Sequence, residues 1–145
     1  MKFFLSLIIL FTSFTCLANT DLREKMASTC ENLGSTEGEK CVVLQRRLEK
    51  ENATLDQNGA EVCALIWKWG SRGGDVQKVG DLVLSCFNQV ANRTVSTEVK
   101  ETCNKNVYED QGSIASMSTI NLKVNRMMSC IGKLSRPVAM NRSGS

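Results

Sequence analysis

The chain has no histidine, a single proline at Pro137, and aromatic side chains at only 6% of positions. Without histidine there is no Ser-His or Cys-His nucleophile pair, no imidazole base poised near neutral pH, and no common zinc ligand set. Closely spaced cysteines are missing too. The nearest two, Cys30 and Cys41, stand about three helical turns apart in sequence, so zinc, c-type haem and C-x-x-C redox chemistry all lack a motif. No metal site and no cofactor are expected. Little proline and few aromatics leave little punctuation for a β-rich fold, and the apolar spacing favours helices.

Long apolar runs are also scarce. The one present follows Lys2, extends from Phe3 to Phe14, and closes in Thr15-Cys16-Leu17-Ala18. A bilayer core needs about 20 apolar residues, and Asn19 and Asp21 end this run short of that. A positive start, an apolar middle and a small-residue exit read as a signal peptide over 1–18, cut after Ala18. A lipid anchor on Cys16 fits poorly, because Phe14 is bulky where such signals want small side chains. The expectation is a secreted or periplasmic protein with no integral span in the mature chain.

Cysteine arithmetic points the same way. Of seven cysteines, cleavage removes Cys16 and leaves Cys30, Cys41, Cys63, Cys86, Cys103 and Cys130. An even set in an oxidising compartment implies three disulfides, each contributing about 2–4 kcal/mol. Hairpin geometry favours Cys30–Cys41, which flank the Gly34–Gly38 turn evenly. Two solutions exist for the rest, of which the repeat pairing, Cys63–Cys86 with Cys103–Cys130, is preferred. Relatedness between Val83-Leu84-Ser85-Cys86-Phe87 and Met127-Met128-Ser129-Cys130-Ile131 favours Cys63–Cys86 with Cys103–Cys130, and even spacing about 91–95 favours Cys86–Cys103 with Cys63–Cys130.

The remaining chain, 19–136, is of single-domain size, with 137–145 expected as a flexible tail. Its charge is nearly balanced but unevenly placed: Asp110 is the last acid, while Lys123, Arg126, Lys133, Arg136 and Arg142 follow it. That balance is far from the strongly basic character of nucleic-acid binders.

The spacing predicts an all-α, disulfide-stapled domain of five or six helices, arranged as a short array of hairpins. Asp21 with Glu24 is expected to cap the first helix, and Thr36 with Glu39 the second, which runs to about Leu55. Asp56-Gln57-Asn58-Gly59 reads as a turn, and Ser71-Arg72-Gly73-Gly74 as a loop. Gly80 weakens a fourth helix by about 1 kcal/mol relative to alanine. Ser96 can cap a fifth. Ile114, Met117, Ile120, Val124, Met127, Ile131 and Leu134 form the apolar stripe of the last.

Two surfaces stand out. Trp67, Lys68, Trp69 and Arg72 beside a glycine loop form a candidate binding surface for a sugar, an anion or a protein, although paired tryptophans more often fill a core. Lys123, Arg126, Lys133 and Arg136 form a candidate basic face for a membrane surface or an anionic partner, although such cations more often solvate the outside of a core helix. Catalysis would have to come from paired carboxylates, with Glu61, Asp75, Asp81 and Glu109 available. The sequons at Asn52, Asn92 and Asn141 are near chance frequency. The leading functional expectation is a non-catalytic exported module that binds a protein, an envelope component or a small apolar ligand. A small carboxylate hydrolase is the alternative, and membrane-surface association through the basic helix a further one.

Overall fold

A computed structural model describes residues 17–72, 75–108 and 116–139. These form α1 (Leu17–Asn32), α2 (Ser35–Lys50), α3 (Gln57–Gly70), α4 (Val76–Val90), β1 (Arg93–Thr94), α5 (Thr97–Tyr108), α6 (Met117–Leu134) and β2 (Arg136–Pro137). The signal-peptide reading falls almost wholly on residues outside this description.

Each consecutive helix pair is a hairpin closed by its own disulfide. Cys30–Cys41 joins α1 to α2, Cys63–Cys86 joins α3 to α4, and Cys103–Cys130 joins α5 to α6, with Cα–Cα distances of 5.6, 5.5 and 5.6 Å. Neighbouring hairpins stack like on like: α1 packs on α3 and α3 on α5, while α2 packs on α4 and α4 on α6. The result is a small disulfide-stapled all-α domain in two layers, odd helices in one and even helices in the other. Phe87, Met26, Leu33, Ile66, Val62, Val83 and Met127 are fully buried between them. The buried sulfurs of Cys41, Cys63, Cys86 and Cys103 belong to the same core.

The helix boundaries show where side chains overrule simple cap patterns. α1 is already helical at Leu17, and Asp21 sits inside it, paired with Lys25 at 2.6 Å rather than capping. Gly34, at φ 82°, reverses the chain into α2 and takes the N-cap position without a side-chain bond, so the Thr36–Glu39 box does not form. Leu33 is fully buried beside it and Glu37 turns inward, which fixes this tight entry.

α2 stops at Lys50, short of Leu55. Asn52 adopts φ 52°, its N–H bonds Glu49 O, and Ala53 N–H closes back on Leu48 O at 2.9 Å, the left-handed closure that satisfies a helix's last carbonyls. Asp56-Gln57-Asn58-Gly59 is the start of α3 and not a free turn. Asp56 is its N-cap, Oδ1 accepting from Gly59 N–H at 2.6 Å and Oδ2 from Val95 N–H. Ser96 Oγ likewise accepts from Val99 N–H.

The junction after α4 repeats the junction after α2. Asn92 takes φ 59°, as Asn52 takes 52°. Asn52-Ala-Thr-Leu-Asp56 and Asn92-Arg-Thr-Val-Ser96 then match in role: left-handed Asn, a spacer, Thr, a buried aliphatic (Leu55, Val95) and a helix cap. One interval separates Leu55 from Val95, Asp56 from Ser96 and Cys63 from Cys103, so α3 and α5 run in register. Two of the three sequons are therefore junctions between hairpins.

Hydrogen bonds tie the junctions side by side. Asn92 N–H donates to Thr54 O, Thr54 N–H to Asn92 Oδ1, and Val138 N–H to Asn92 O. β1 and β2 pair antiparallel, Arg93 opposite Pro137 and Thr94 opposite Arg136. Arg93 also donates to Gly132 O and Ser135 O, closing the C-terminal end of α6. The segment expected to be a free tail from Pro137 thus begins with docked residues; 140–145 lie outside the described residues.

Candidate functional site

A concavity of about 400 Å³ lies on the odd-helix layer, between α3 and α5. Its α3 wall is Glu61, Ala64, Leu65 and Lys68, residues spaced by threes and fours on one helical stripe. Its α5 wall includes Lys100, Glu101 and Asn104. The equal Asp56–Ser96 and Cys63–Cys103 intervals set these helices in register, with Glu61 level with Glu101, and Lys100, one residue earlier, reaches across to Glu61.

Glu61 Oε2 accepts a hydrogen bond from Lys100 Nζ, and Glu61 Oε1 accepts from Gln57 Nε2 at 3.1 Å. The Lys100 bond first, and the Gln57 bond second, hold the Glu61 carboxyl below the usual carboxylate range. With Lys68 and Glu101 added, the rim carries two charges of each sign over an aliphatic floor. Asn104 Oδ1 is buried at the cleft wall without a hydrogen-bond partner among the described residues.

The tryptophan surface does not form as one patch. Trp69 is buried, Trp67 is half-buried against the core, and Arg72 is exposed beyond the end of α3. Only Lys68 of that set lines the cleft. Adjacent helical positions point some 100° apart, so four near-consecutive residues cannot share a face.

The basic face is divided as well. Lys123 is 9% exposed, inside the fold, because it shares the buried side of α6 with Val124 and Met127. Arg136 lies past the helix in β2. Arg126 and Lys133 share a second groove, of about 550 Å³, between α5 and α6. The apolar stripe of α6 faces the core from Ile120 to Ile131, while Leu134 is half-exposed and Ile114 lies outside the described residues.

Three of the four carboxylates considered for catalysis are taken up separately. Glu61 pairs with Lys100, Asp81 with Lys40 at 3.0 Å, and Asp75 caps α4 through Gln77 N–H at 3.1 Å. Glu109 lies outside the described residues. Among the described residues no group of three metal-ligating side chains occurs, and no helix is long and apolar enough to cross a membrane. Disulfides without such a helix are compatible with an extracellular or periplasmic protein.

Sequence reasoning passed over Leu65, Lys100 and Asn104. The signal available for them was the repeated interval, which aligns α3 with α5. Fold and site together define a three-hairpin, disulfide-stapled helical array with an interhelical cleft on one layer. Compared with known proteins, the chain matches no family model, no curated protein and no solved structure.

Proposed function

We propose that this protein is a non-catalytic exported module that binds a protein or envelope component through the α3/α5 cleft. The carrying observation is the make-up of that cleft: an aliphatic floor of Ala64 and Leu65 under a rim whose central charges, Glu61 and Lys100, already neutralise each other. A carboxylate held in an ion pair below its usual range is poorly suited to general acid catalysis, which needs a raised value. An apolar floor within a polar rim suits a short partner segment that places one aliphatic side chain between polar groups. Stacked helical hairpins supply rigid walls for such a site, because each staple fixes its helix pair independently. Export, by the signal peptide read at 1–18, accounts for the oxidised state.

The test is a peptide-display selection against the oxidised protein, followed by affinity measurements on variants. Selected ligands should carry an aliphatic residue and lose at least about tenfold in affinity on Ala64→Phe, which fills the cleft, or on Lys68→Glu. Val43→Glu, on exposed α2, should leave affinity unchanged. Ligands that bind all three variants equally would remove the cleft from the proposal.

A further inference from the structure

We propose that Cys103–Cys130 is a reactive staple, opened at Cys130 by an anionic thiol that docks in the groove between α5 and α6. The cysteines are not equally enclosed. Cys41, Cys63, Cys86 and Cys103 are fully buried and Cys30 is 6% exposed, whereas Cys130 is only half-buried.

Position in the array explains this. One side of each hairpin packs on its neighbour, and hairpins two and three meet through α3 with α5 and α4 with α6. Among the described residues no further helix packs on the other side of the α5/α6 pair, and Cys130 lines the groove there. Asn106, Ser129, Arg126 and Lys133 surround it, and among the described residues no carboxylate lines this groove. α6 itself carries no Asp or Glu from Met117 to Leu134. The opposite end of the array has a comparable groove between α1 and α2, where Cys30 is the lining cysteine and Glu31 the charged group. A thiolate is therefore attracted toward Cys130 and repelled from Cys30.

The chemistry balances as a thiol–disulfide exchange. The thiolate of an external thiol attacks Sγ of Cys130, a mixed disulfide forms there, the Cys103–Cys130 bond breaks, and the electron pair leaves on Cys103 Sγ, which takes a proton from water. A second thiolate attacks the mixed disulfide, releasing the oxidised external thiol and leaving Cys130 reduced. Attack in the reverse sense, at Cys103, is barred by its complete burial. The consequence is local. α5 is untied from α6 while the other two hairpins stay stapled, and in a stacked array an end unit can loosen without unfolding the rest.

The experiment uses the oxidised protein recovered after export, with three small thiols compared at equal thiolate concentration: mercaptoethanesulfonate (anionic), mercaptoethanol (neutral) and cysteamine (cationic). Acid quenching, alkylation and peptide mass mapping follow each bond. Cys103–Cys130 should open first, the trapped adduct should sit on Cys130, and the anionic thiol should react at least about fivefold faster than the neutral one at low salt. That preference should vanish at about 0.5 M salt. Lys133→Glu should abolish it while leaving the neutral rate within about twofold. Earlier opening of Cys30–Cys41, an adduct on Cys103, or no dependence on thiol charge would each overturn the proposal. An equal change for all three thiols in Lys133→Glu would also do so, by assigning the reactivity to unfolding of the hairpin instead of docking.

Discussion

Replacing Gly80 by alanine tests the two-layer packing against helix propensity, because the two effects have opposite signs. In an isolated helix the change should stabilise by about 1 kcal/mol. In the fold, a Cβ on Gly80 would stand 2.9 Å from Glu37 Cβ and closer still to Glu37 Cγ. Glu37 is 4% exposed, and its Cβ is fixed to the backbone of α2, so no rotamer change makes room. The helices α2 and α4 must move apart where they pack. Overpacking of this kind costs about 1–3 kcal/mol. The propensity gain offsets part of it, and a net loss of about 1 kcal/mol remains. Gly132 provides the internal control. It lies in α6 with nothing within 4 Å of its would-be Cβ, so Gly132→Ala should stabilise by about 0.5–1 kcal/mol. Urea and thermal melts of the oxidised proteins, followed by helical circular dichroism, measure both. A fall of about 3–6 °C in Tm should accompany the Gly80 variant. If both alanines stabilise alike, the close approach of α2 to α4 at Gly80 is wrong.

Three further outcomes follow from the same structure. Removing the staples one pair at a time with alanine should cost about 3 kcal/mol for Cys30–Cys41 and about 3.5 kcal/mol for each of the others in the chain-entropy model, given separations of 11, 23 and 27 residues, read by denaturant unfolding with the slope fitted for each variant. Asp56→Ala should cost about 2–3 kcal/mol, more than a simple cap, because one carboxylate serves both Gly59 N–H and Val95 N–H; Ser96→Ala, which loses a single bond, should cost about 1 kcal/mol. Acid stability should depend on Glu61 and Glu49, the latter lowered chiefly by its bond from Arg23. Both carboxyls sit below the ordinary value of 4.5 when folded, so their contribution is complete above that pH and is lost as pH falls through their lowered values. Lys100→Met should flatten the acid limb of the stability profile, and an unchanged limb would show that the Glu61 pair adds nothing.

Several elements could be read directly from residue spacing. Helical periodicity marked α2, α4 and α6, and Ser96 announced the start of α5. Other signals misled because they were purely local. Thr36 with Glu39 has the form of a capping box, yet burial of Leu33 and Glu37 sets a tighter entry through Gly34. Asp56-Gln57-Asn58-Gly59 has the composition of a turn, but Asp56 gains two backbone partners by capping α3, one of them contributed from across the junction. Leu134 continues the apolar spacing of α6 but is half-exposed at the end of the helix. Lys123 sits among apolar neighbours that only the packed helix reveals.

The site was less legible than the fold. Lys68 was visible beside its tryptophans, whereas Leu65, Lys100 and Asn104 carry no local signature and depend on how α3 lies against α5. What the sequence determined by itself is the kind of protein: helical, because its apolar residues recur by threes and fours, and cysteine-stapled, because its thiols lack any metal or redox spacing. The tertiary structure decided which sulfurs meet, since two pairings satisfied the hairpin rule and only the like-on-like stacking of three hairpins distinguishes them. It also decided which charges neutralise each other and which cysteine reaches the surface, because both depend on contacts between helices that no local pattern encodes.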